Sequence, residues 1–353
     1  MKILYGVVGE GMGHAMRSRV VLGHLVRVGH EVHVIASQRA VDYLAKHFAS
    51  VHRIHGMHIV YDENRVRRGK TLWQNVLRGA LAIPGQIKAY FDLIEEFRPE
   101  VVVSDFESWT YFYAKAHRIP VISVDNIQML NRCFHDADVI DVDRVGFETA
   151  RAFVKAKLPH ADQYLITTFY YPPVRKKRTA LYPSVLRPEI LSAKSERGEH
   201  LLVYQTAEGN EALVQALQAS GLECRVYGMR RGIAEEQVEG NLRYRPFSEA
   251  GFVDDLRTSR AVVAGGGFTL MSEAVYLHKP MLSLPVGGQF EQTLNAIYLE
   301  KQGYGRRAQA LDGRTLTDFL NAIPACEERL AAYHQDGNRL LLHGLDAALA
   351  ATR

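Results

Sequence analysis

The chain has 353 residues, of which 47% are hydrophobic and 23% are charged, and its formal net charge is +4. This length suffices for two domains of ordinary size, and the composition is that of a soluble globular protein and excludes a disordered or fibrous one. No apolar run approaches the length that crosses a bilayer, and the first residues lack a signal-peptide pattern, which predicts a cytoplasmic protein.

Strand and helix patterns alternate through the first half of the chain, which predicts a parallel sheet covered on both faces. A β-rich run over Lys2 to Val8 leads into a glycine loop, Gly9 to Gly13, and a helix pattern over Ala15 to Val28 follows. Later strands are predicted to end at Asp105 and at Asp125. The carboxyl ends of parallel strands meet at one edge of a sheet, so the loops that follow these strands are predicted to lie together where α/β proteins bind their ligands.

A change of composition separates the two halves. Residues 170–199 contain four prolines and a run of basic residues, Arg175 to Arg178, which predicts an interdomain linker. The alternation resumes at Leu201, and the end of the chain is mainly helical. The predicted organisation is therefore a Rossmann-like domain over 1–169, the linker, a second Rossmann-like domain over 200–323, and a helical segment over 324–353.

The second domain contains the most informative stretch, which begins with a short strand, Ala261 to Ala264. Three glycines, Gly265 to Gly267, follow the strand and open a helix with Thr269 near its start. Backbone N–H groups and the positive end of a helix dipole at such a turn favour a phosphate. Glu273, one turn into the helix, is suited to accept hydrogen bonds from the two hydroxyls of a ribose.

A second strand–glycine–helix unit comes directly afterwards. Its strand covers Pro280 to Pro285, and its helix opens with Glu291, Gln292 and Asn295, whose side chains suit several sugar hydroxyls. A single glycine triplet is usually only a turn, whereas two such units in tandem predict recognition of phosphate, ribose and sugar in order along the chain.

These residues resemble the donor-binding half of inverting glycosyltransferases with the GT-B fold, and are close to the murein N-acetylglucosaminyltransferase type. The resemblance implies an α/β protein with two Rossmann-like domains that face each other across a cleft, the first on the acceptor side and the second on the donor side. It implies that Glu273 holds the ribose of a nucleotide-sugar, that Glu291 and Gln292 hold the hexose, and that the segment 324–353 crosses back to the first domain. The predicted donor-binding residues are Gly13, Gln205, Thr206, Arg245, Phe247, Gly265, Gly266, Gly267, Phe268, Thr269, Glu273, Gln289, Glu291 and Gln292.

The glycine loop after the first strand is not a dinucleotide fingerprint. His14 stands where the third glycine of G-x-G-x-x-G belongs, and the second strand ends in Ala36-Ser37-Gln38 without the ribose-binding acid, which argues against a dehydrogenase. The loop should instead present His14 at the carboxyl end of the first strand. An imidazole there suits general-base catalysis near neutral pH.

Asp105 is the predicted partner of this imidazole, which it would orient and stabilise in its charged form. The run Gly-x-Gly-x-Gly-His-x-x-Arg is similar to bacterial and archaeal glycosyltransferase-like proteins, and the resemblance implies a catalytic role for His14. Structural alternatives remain, because His14 could cap a helix start and Asp105 could cap the helix near Ser108. The predicted acceptor-side residues are Glu10, Met12 and Arg17, and Arg17 could also form only a surface ion pair.

The combined hypothesis is an inverting, metal-independent transfer of a hexose-type sugar from a nucleotide diphosphate donor. The donor, a UDP-sugar by expectation, is a substrate, so no separate cofactor is predicted and no nucleic acid is expected as a partner. No DxD-type metal motif stands at a suitable strand end, and the acidic pairs at 136 and 138 and at 141 and 143 are typical of solvated loops. A nucleotide-sugar 2-epimerase and a non-catalytic nucleotide-sugar-binding protein remain as alternatives.

The segment from Arg65 to Tyr90 mixes basic and apolar residues within a helical pattern that covers Leu72 to Phe97. Such a segment can dock on an anionic membrane surface, which would place the protein peripherally on the inner face of the membrane, beside a lipid-linked acceptor for a cell-envelope glycan. The alternative is that its apolar residues pack inside the first domain and its arginines are solvated.

Overall fold

The computed structural model describes residues 1–9, 11–54, 61–62, 65–66, 94–206, 211–230 and 232–353. They form two compact units. Unit 1 comprises Met1–Val185 and Asp336–Arg353, and unit 2 comprises Leu186–Gln335.

Unit 1 is built on a seven-stranded sheet in the order β3-β2-β1-β6-β7-β8-β9, in which every neighbouring pair is parallel. Its strands are β1 (Lys2–Val7), β2 (Glu31–Ala36), β3 (Val51–Arg53), β6 (Val101–Asp105), β7 (Val121–Asp125), β8 (Gln163–Thr168) and β9 (Thr179–Pro183), and a separate antiparallel pair joins β4 (Tyr61–Asp62) to β5 (Arg65–Val66). The helices are α1 (Met12–Arg27), α2 (Gln38–Leu44), α3 (94–97), α4 (Ser108–His117), α5 (Met129–Arg132), α6 (Ala137–Ile140), α7 (Arg144–Lys157) and α14 (Arg339–Ala350).

The central strands of this sheet are buried along their whole length. Every residue of β6 and β7 is buried, as expected for parallel strands with cover on both faces. The last helix, α14, packs against β8 and β9, and Leu341 and Leu345 belong to the core of unit 1. The end of the chain is therefore part of the first unit.

Unit 2 repeats the same plan with a sheet in the order β12-β13-β11-β10-β14-β15-β16, in which only β12 and β13 are antiparallel. The strands are β10 (Leu201–Tyr204), β11 (Cys224–Tyr227), β12 (Gln237–Glu239), β13 (Leu242–Tyr244), β14 (Ala261–Ala264), β15 (Met281–Ser283) and β16 (Gly305–Arg307). The helices are α8 (Pro188–Leu191), α9 (Glu211–Ala219), α10 (Glu249–Arg257), α11 (Phe268–Tyr276), α12 (Phe290–Lys301) and α13 (Gly313–Leu330).

The domain boundaries differ from the predicted ones at two places. The predicted linker, 170–199, is divided between the units, because β9 pairs in parallel with β8 while α8 belongs to unit 2. The return to unit 1 begins at Asp336 and not at 324, because α13 continues through Pro324 to Leu330.

The segment that was expected to meet a membrane, Arg65 to Tyr90, lies outside the described residues apart from β5. Among the helices that the structure describes, none has both the length and the apolar character needed to cross a bilayer.

Candidate functional site

Each sheet has a point at which its strand order reverses, and ligands of open α/β sheets bind beside such points at the carboxyl ends of the strands. In unit 1 the reversal lies between β1 and β6, and in unit 2 it lies between β10 and β14. The glycine loop with His14 follows β1, and Asp105 ends β6. The glycines Gly265 to Gly267 follow β14, and Gln205 and Thr206 follow β10.

Two glycines shape the loop after β1 for steric reasons. Gly9 donates its N–H to the Ser37 hydroxyl at 2.9 Å, and a Cβ at Gly9 would stand 2.2 Å from the Ser37 carbonyl oxygen. Gly11 has a φ of +99°, in the region that side chains rarely adopt. The chain can therefore turn sharply after β1 and enter α1 with His14 in its first turn.

His14 meets Asp105 at the edge of the sheet. The register pairs Val7 with Asp105, so the last residue of β6 lies beside the loop. The Nδ1 atom of His14 is 2.7 Å from Oδ1 of Asp105. The carboxylate is 0% exposed, whereas the His14 side chain is 14% exposed. The structure thus brings together the two residues that the sequence proposed as a pair.

Asp105 is held by two further side chains of α1. Arg17 donates from Nε to Oδ2 at 3.1 Å and from Nη2 to Oδ1 at 2.5 Å, and the Ser18 hydroxyl donates to Oδ2 at 3.0 Å. Together with His14, each carboxylate oxygen has two partners, which matches its two lone pairs. Asp105 is therefore fixed in position and fully hydrogen-bonded.

The protonation of this cluster follows from its charges. Burial raises the pKa of Asp105, but the charges of Arg17 and His14 and their hydrogen bonds outweigh burial and hold that pKa below its ordinary value. The carboxylate is therefore ionised at neutral pH.

The ionised carboxylate decides which nitrogen of His14 carries the proton. Nη2 of Arg17 also lies 2.9 Å from Nδ1 of His14, but a guanidinium can only donate. If Nδ1 accepted that proton, two lone pairs would face each other across the 2.7 Å contact with Asp105. We therefore assign the hydrogen to Nδ1, which donates to Asp105 and leaves Nε2 as the acceptor.

Arg17 differs from its prediction as an acceptor-side or surface residue. Its side chain is only 4% exposed, and its Nη1 donates to Asn126 Oδ1 at 3.3 Å. Sequence reasoning also missed Ser18 and Asn126. The available signal was their spacing, since Ser18 is one helical turn beyond His14 and Asn126 follows the end of the adjacent strand.

The remaining predictions in this loop have separate outcomes. Glu10 lies outside the described residues. Met12 packs partly against the core of unit 1, and Gly13 lies in the first turn of α1, so their roles toward ligands stay predictions. Glu107, and not Asp105, caps α4, because its carboxylate accepts from the backbone N–H groups of Trp109 and Thr110 at 2.8 Å.

In unit 2 the turn after β14 is enclosed by α12. Gly266 donates its N–H to Gln292 Oε1 at 3.0 Å and accepts from Asn295 Nδ2 at 3.1 Å. A Cβ at Gly266 would stand 2.5 Å from the Gln292 carbonyl oxygen. Gln292 also accepts from Val286 and donates to Gln289.

These contacts lie within the protein, and the predicted sugar-binding roles of Gln289 and Gln292 stay predictions. The amide of Gln292 braces the glycine turn and donates to Gln289, because β14 and β15 are parallel neighbours whose loops meet at one edge. Glu291 lies half-buried in the first turn of α12, and its proposed contact with a hexose stays a prediction.

Glu273 is occupied by a partner that the sequence did not indicate. Its side chain is 2% exposed, and its two oxygens accept from Arg187 Nε at 2.7 Å and Nη2 at 2.9 Å. Burial lowers the pKa of Arg187, but the charge and hydrogen bonds of Glu273, followed by those of Glu249, outweigh it and raise that pKa. In this structure Glu273 anchors Arg187, and its predicted contact with a ribose stays a prediction.

Other predicted donor contacts are distributed around the same edge. Thr206 and Gly267 are exposed, Gln205, Gly265 and Thr269 are half-buried, and the ring of Phe268 is buried under the helix start. Arg245 is paired with Glu236 at 3.0 Å and Asp255 at 3.1 Å, whereas Phe247 is 65% exposed. Donor contacts by these residues stay predictions.

Among the described residues, no group of three or more His, Cys, Asp or Glu side chains could hold a metal ion. The acidic pair at 141 and 143 has local structural roles. Asp143 caps α7 by accepting from Gly146 N–H at 2.8 Å, and Asp141 pairs with Arg144.

Two Rossmann-like units, each with a polar loop at its switch point, define a GT-B protein, and similarity to solved structures supports this fold. The chain is 17% identical to the glycotransferase of kitacinnamycin, with a TM-score of 0.65 and coverage of 99% of this chain and 95% of the other. For LpCGTa in complex with UDP the identity is 15% and the TM-score 0.63, with coverage of 98% of each chain. For spinosyn rhamnosyltransferase SpnG complexed with thymidine diphosphate the identity is 18% and the TM-score 0.61, with coverage of 94% of each chain.

The family follows from sequence comparison. The family model described as Glycosyl transferase family 1 matches residues 1–324, so the chain belongs to that family. An uncharacterized glycosyltransferase of Methanosarcina mazei is 25% identical over 329 residues, which cover 87% of this chain and 85% of the relative. The protein is a glycosyltransferase, and these findings do not favour the 2-epimerase or the non-catalytic binding protein.

Proposed function

We propose that this glycosyltransferase moves a hexose-type sugar from a nucleoside diphosphate donor to an acceptor hydroxyl with inversion, and that His14 is the general base. The observation that carries the proposal is the contact of His14 Nδ1 with the buried, ionised carboxylate of Asp105. It sets the imidazole tautomer and leaves Nε2 as the proton acceptor.

The reaction is a single displacement. Nε2 of His14 takes the proton of the acceptor hydroxyl while the oxygen attacks the anomeric carbon of the donor. The bond from that carbon to the phosphate oxygen breaks, and the nucleoside diphosphate leaves with the electron pair. Attack on the face opposite the leaving group inverts the anomeric configuration.

Asp105 supports this step by stabilising the imidazolium that forms. Because Arg17 and Ser18 occupy the remaining lone pairs of Asp105, the carboxylate cannot rotate away from His14.

The donor proposal rests on the turn after β14 and on the related structures that hold UDP or thymidine diphosphate. Exposed Gly267 immediately precedes α11, where backbone N–H groups and the helix dipole favour phosphate, and exposed Thr206 follows the neighbouring strand β10. We propose a UDP-sugar as the donor, with exposed Phe247 available to contact its base. The carboxylate of Glu273 has no part in this proposal, because Arg187 occupies it.

The defining experiment incubates purified protein with a panel of UDP- and TDP-sugars and a broad set of hydroxyl acceptors. Nuclear magnetic resonance of the product gives its anomeric configuration. Inversion relative to the donor is expected, and retention would contradict a single displacement with His14 as base. Metal independence stays a prediction, which the same assay tests with EDTA. The cytoplasmic location, the lipid-linked acceptor and the membrane contact also stay predictions.

A further inference from the structure

Five basic side chains gather in unit 1, at a place that the proposed reaction does not use. The cation cluster, as we call it, consists of Arg132, Arg151, Lys155, Arg175 and Lys176. Helix α5, which ends at Arg132, packs against α7, which carries Arg151 and Lys155. An antiparallel bridge between Cys133 and Val174 brings the chain before β9 to the same place.

Three members of the cluster, Arg132, Arg175 and Lys176, donate hydrogen bonds to neutral oxygens. Lys176 Nζ donates to Asn131 Oδ1, and Arg175 Nη2 donates to the Asn131 carbonyl at 3.0 Å. Arg132 donates to Thr179 Oγ1 at 2.6 Å and to the Lys177 carbonyl at 2.5 Å. Within the described part of the chain, none of these three cations has a carboxylate within 4.0 Å, and only Arg151 pairs with one, Glu148, at 2.6 Å.

The cost of this arrangement appears at Lys176, which is half-buried. Its pKa is lowered to about 8, first by burial and then by the charges of Arg175, Arg132, Lys155 and Arg151. Like charges therefore face Lys176, which has no carboxylate within 4.0 Å among the described residues. An anion at this place would relieve the repulsion and gain charge-assisted hydrogen bonds.

We propose that the cation cluster binds the phosphate group of an anionic ligand. Arginine and lysine are the side chains that recognise phosphate, the first through its planar fork and the second as a point charge. Two exposed aromatic side chains lie nearby in the chain, Phe134 at 56% and Tyr171 at 57% exposure. The phosphate can belong to a soluble compound or to a lipid headgroup, and the experiment has one arm for each source.

In the first arm, the full chain is titrated with pyrophosphate by calorimetry, with excess UDP present to fill a donor site. In the second arm, it is sedimented with vesicles of phosphatidylglycerol and phosphatidylcholine. We expect Lys176→Gln to lose at least tenfold in affinity in the arm that shows binding. The matched control is Lys177→Gln, at the exposed neighbouring lysine, which should bind as the wild type does.

Lys155→Gln keeps the test valid if loss of the Lys176 contact with Asn131 impairs folding. Lys155 is exposed, and removal of its charge should weaken binding about fivefold without changing the melting temperature. Binding of pyrophosphate identifies a soluble phosphate, and binding to vesicles alone identifies a lipid. No binding in either arm, or equal binding by the wild type, Lys176→Gln and Lys155→Gln, would overturn the proposal.

Discussion

Replacement of Arg17 by glutamine should destabilise the protein by about 3–5 kcal/mol, the usual effect of removing one partner from a buried ion pair. Both partners are buried, with Arg17 4% and Asp105 0% exposed, and the substitution removes the donors at 3.1 and 2.5 Å. For a domain of 150–250 residues, each kcal/mol of lost unfolding free energy lowers the melting temperature by roughly 2–4 °C. A fall of about 6–20 °C is therefore expected.

Arg53→Gln is the matched control. It breaks an ion pair with Asp42 that has a comparable distance, 2.6 Å, but side chains that are 55% and 71% exposed. An exposed pair contributes about 0–1 kcal/mol. Urea unfolding of both variants measures the contrast, and an equal loss in the two would refute the reasoning from burial.

A double-mutant cycle isolates the charge pair. Asp105→Asn leaves Arg17 without its carboxylate, and the combined variant removes both charges. The combined loss should be smaller than the sum of the single losses, because no uncompensated buried charge remains. Additive losses would show that the two side chains stabilise the unit independently.

Three further predictions concern stability and pH. Glu273→Ala should cost about 1.5–3 kcal/mol in urea unfolding, because Arg187 loses two charge-assisted hydrogen bonds and keeps only its pair with Glu249; unchanged stability with weaker donor binding would support the ribose role instead. Gly266→Ala should lower stability by about 1–3 kcal/mol in thermal unfolding, because its Cβ would stand 2.5 Å from the α12 backbone. A Cβ at Gly267 would have no atom within 4 Å, so the control Gly267→Ala should cost about 1 kcal/mol or less. Equal effects of the two variants would contradict the packing argument. Because the pKa of Asp105 is lowered by folding, its carboxylate stabilises the folded state above the ordinary aspartate pKa of about 3.9. The stability advantage of the wild type over Asp105→Asn should therefore be full at pH 7 and shrink as the pH falls below about 4. An advantage that grows on acidification would contradict this sign.

The contact of His14 with Asp105 was predictable because it depends on topology. Parallel strands place their carboxyl ends at one edge, so a histidine after β1 and an aspartate at the end of β6 must lie close if the strands are neighbours. The hydrogen bonds from Arg17 and Ser18 to Asp105 were not predicted. They depend on which face of α1 is turned toward the sheet, and a buried arginine has the same one-letter pattern as an exposed one.

The role of Glu273 could not be read from the sequence. Its partner Arg187 precedes it by 86 positions in the chain and lies in a stretch that reads as a linker. A charge pair at this separation leaves no periodic signal. The bracing amide of Gln292 was missed for a similar reason, because polar side chains at a helix start suit a sugar and a neighbouring turn equally well.

The glycines illustrate a third limit. A strand–glycine–helix pattern identifies the place of the turn, and the structure confirms that place after β14. The pattern does not tell which glycine is required by packing and which leaves space for a ligand. That distinction needs the distance from Gly266 to α12 and the open space around Gly267.

The central claim is that His14 is the general base, and the rate of sugar transfer by His14→Ala tests it most directly. His47→Ala, at an exposed histidine of the same unit, is the control. We predict that His14→Ala loses roughly 10²–10⁴-fold in kcat, keeps its affinity for the donor nucleotide in calorimetry, and keeps its melting temperature within a few degrees. Transfer by folded His14→Ala at the rate of His47→Ala would contradict the account.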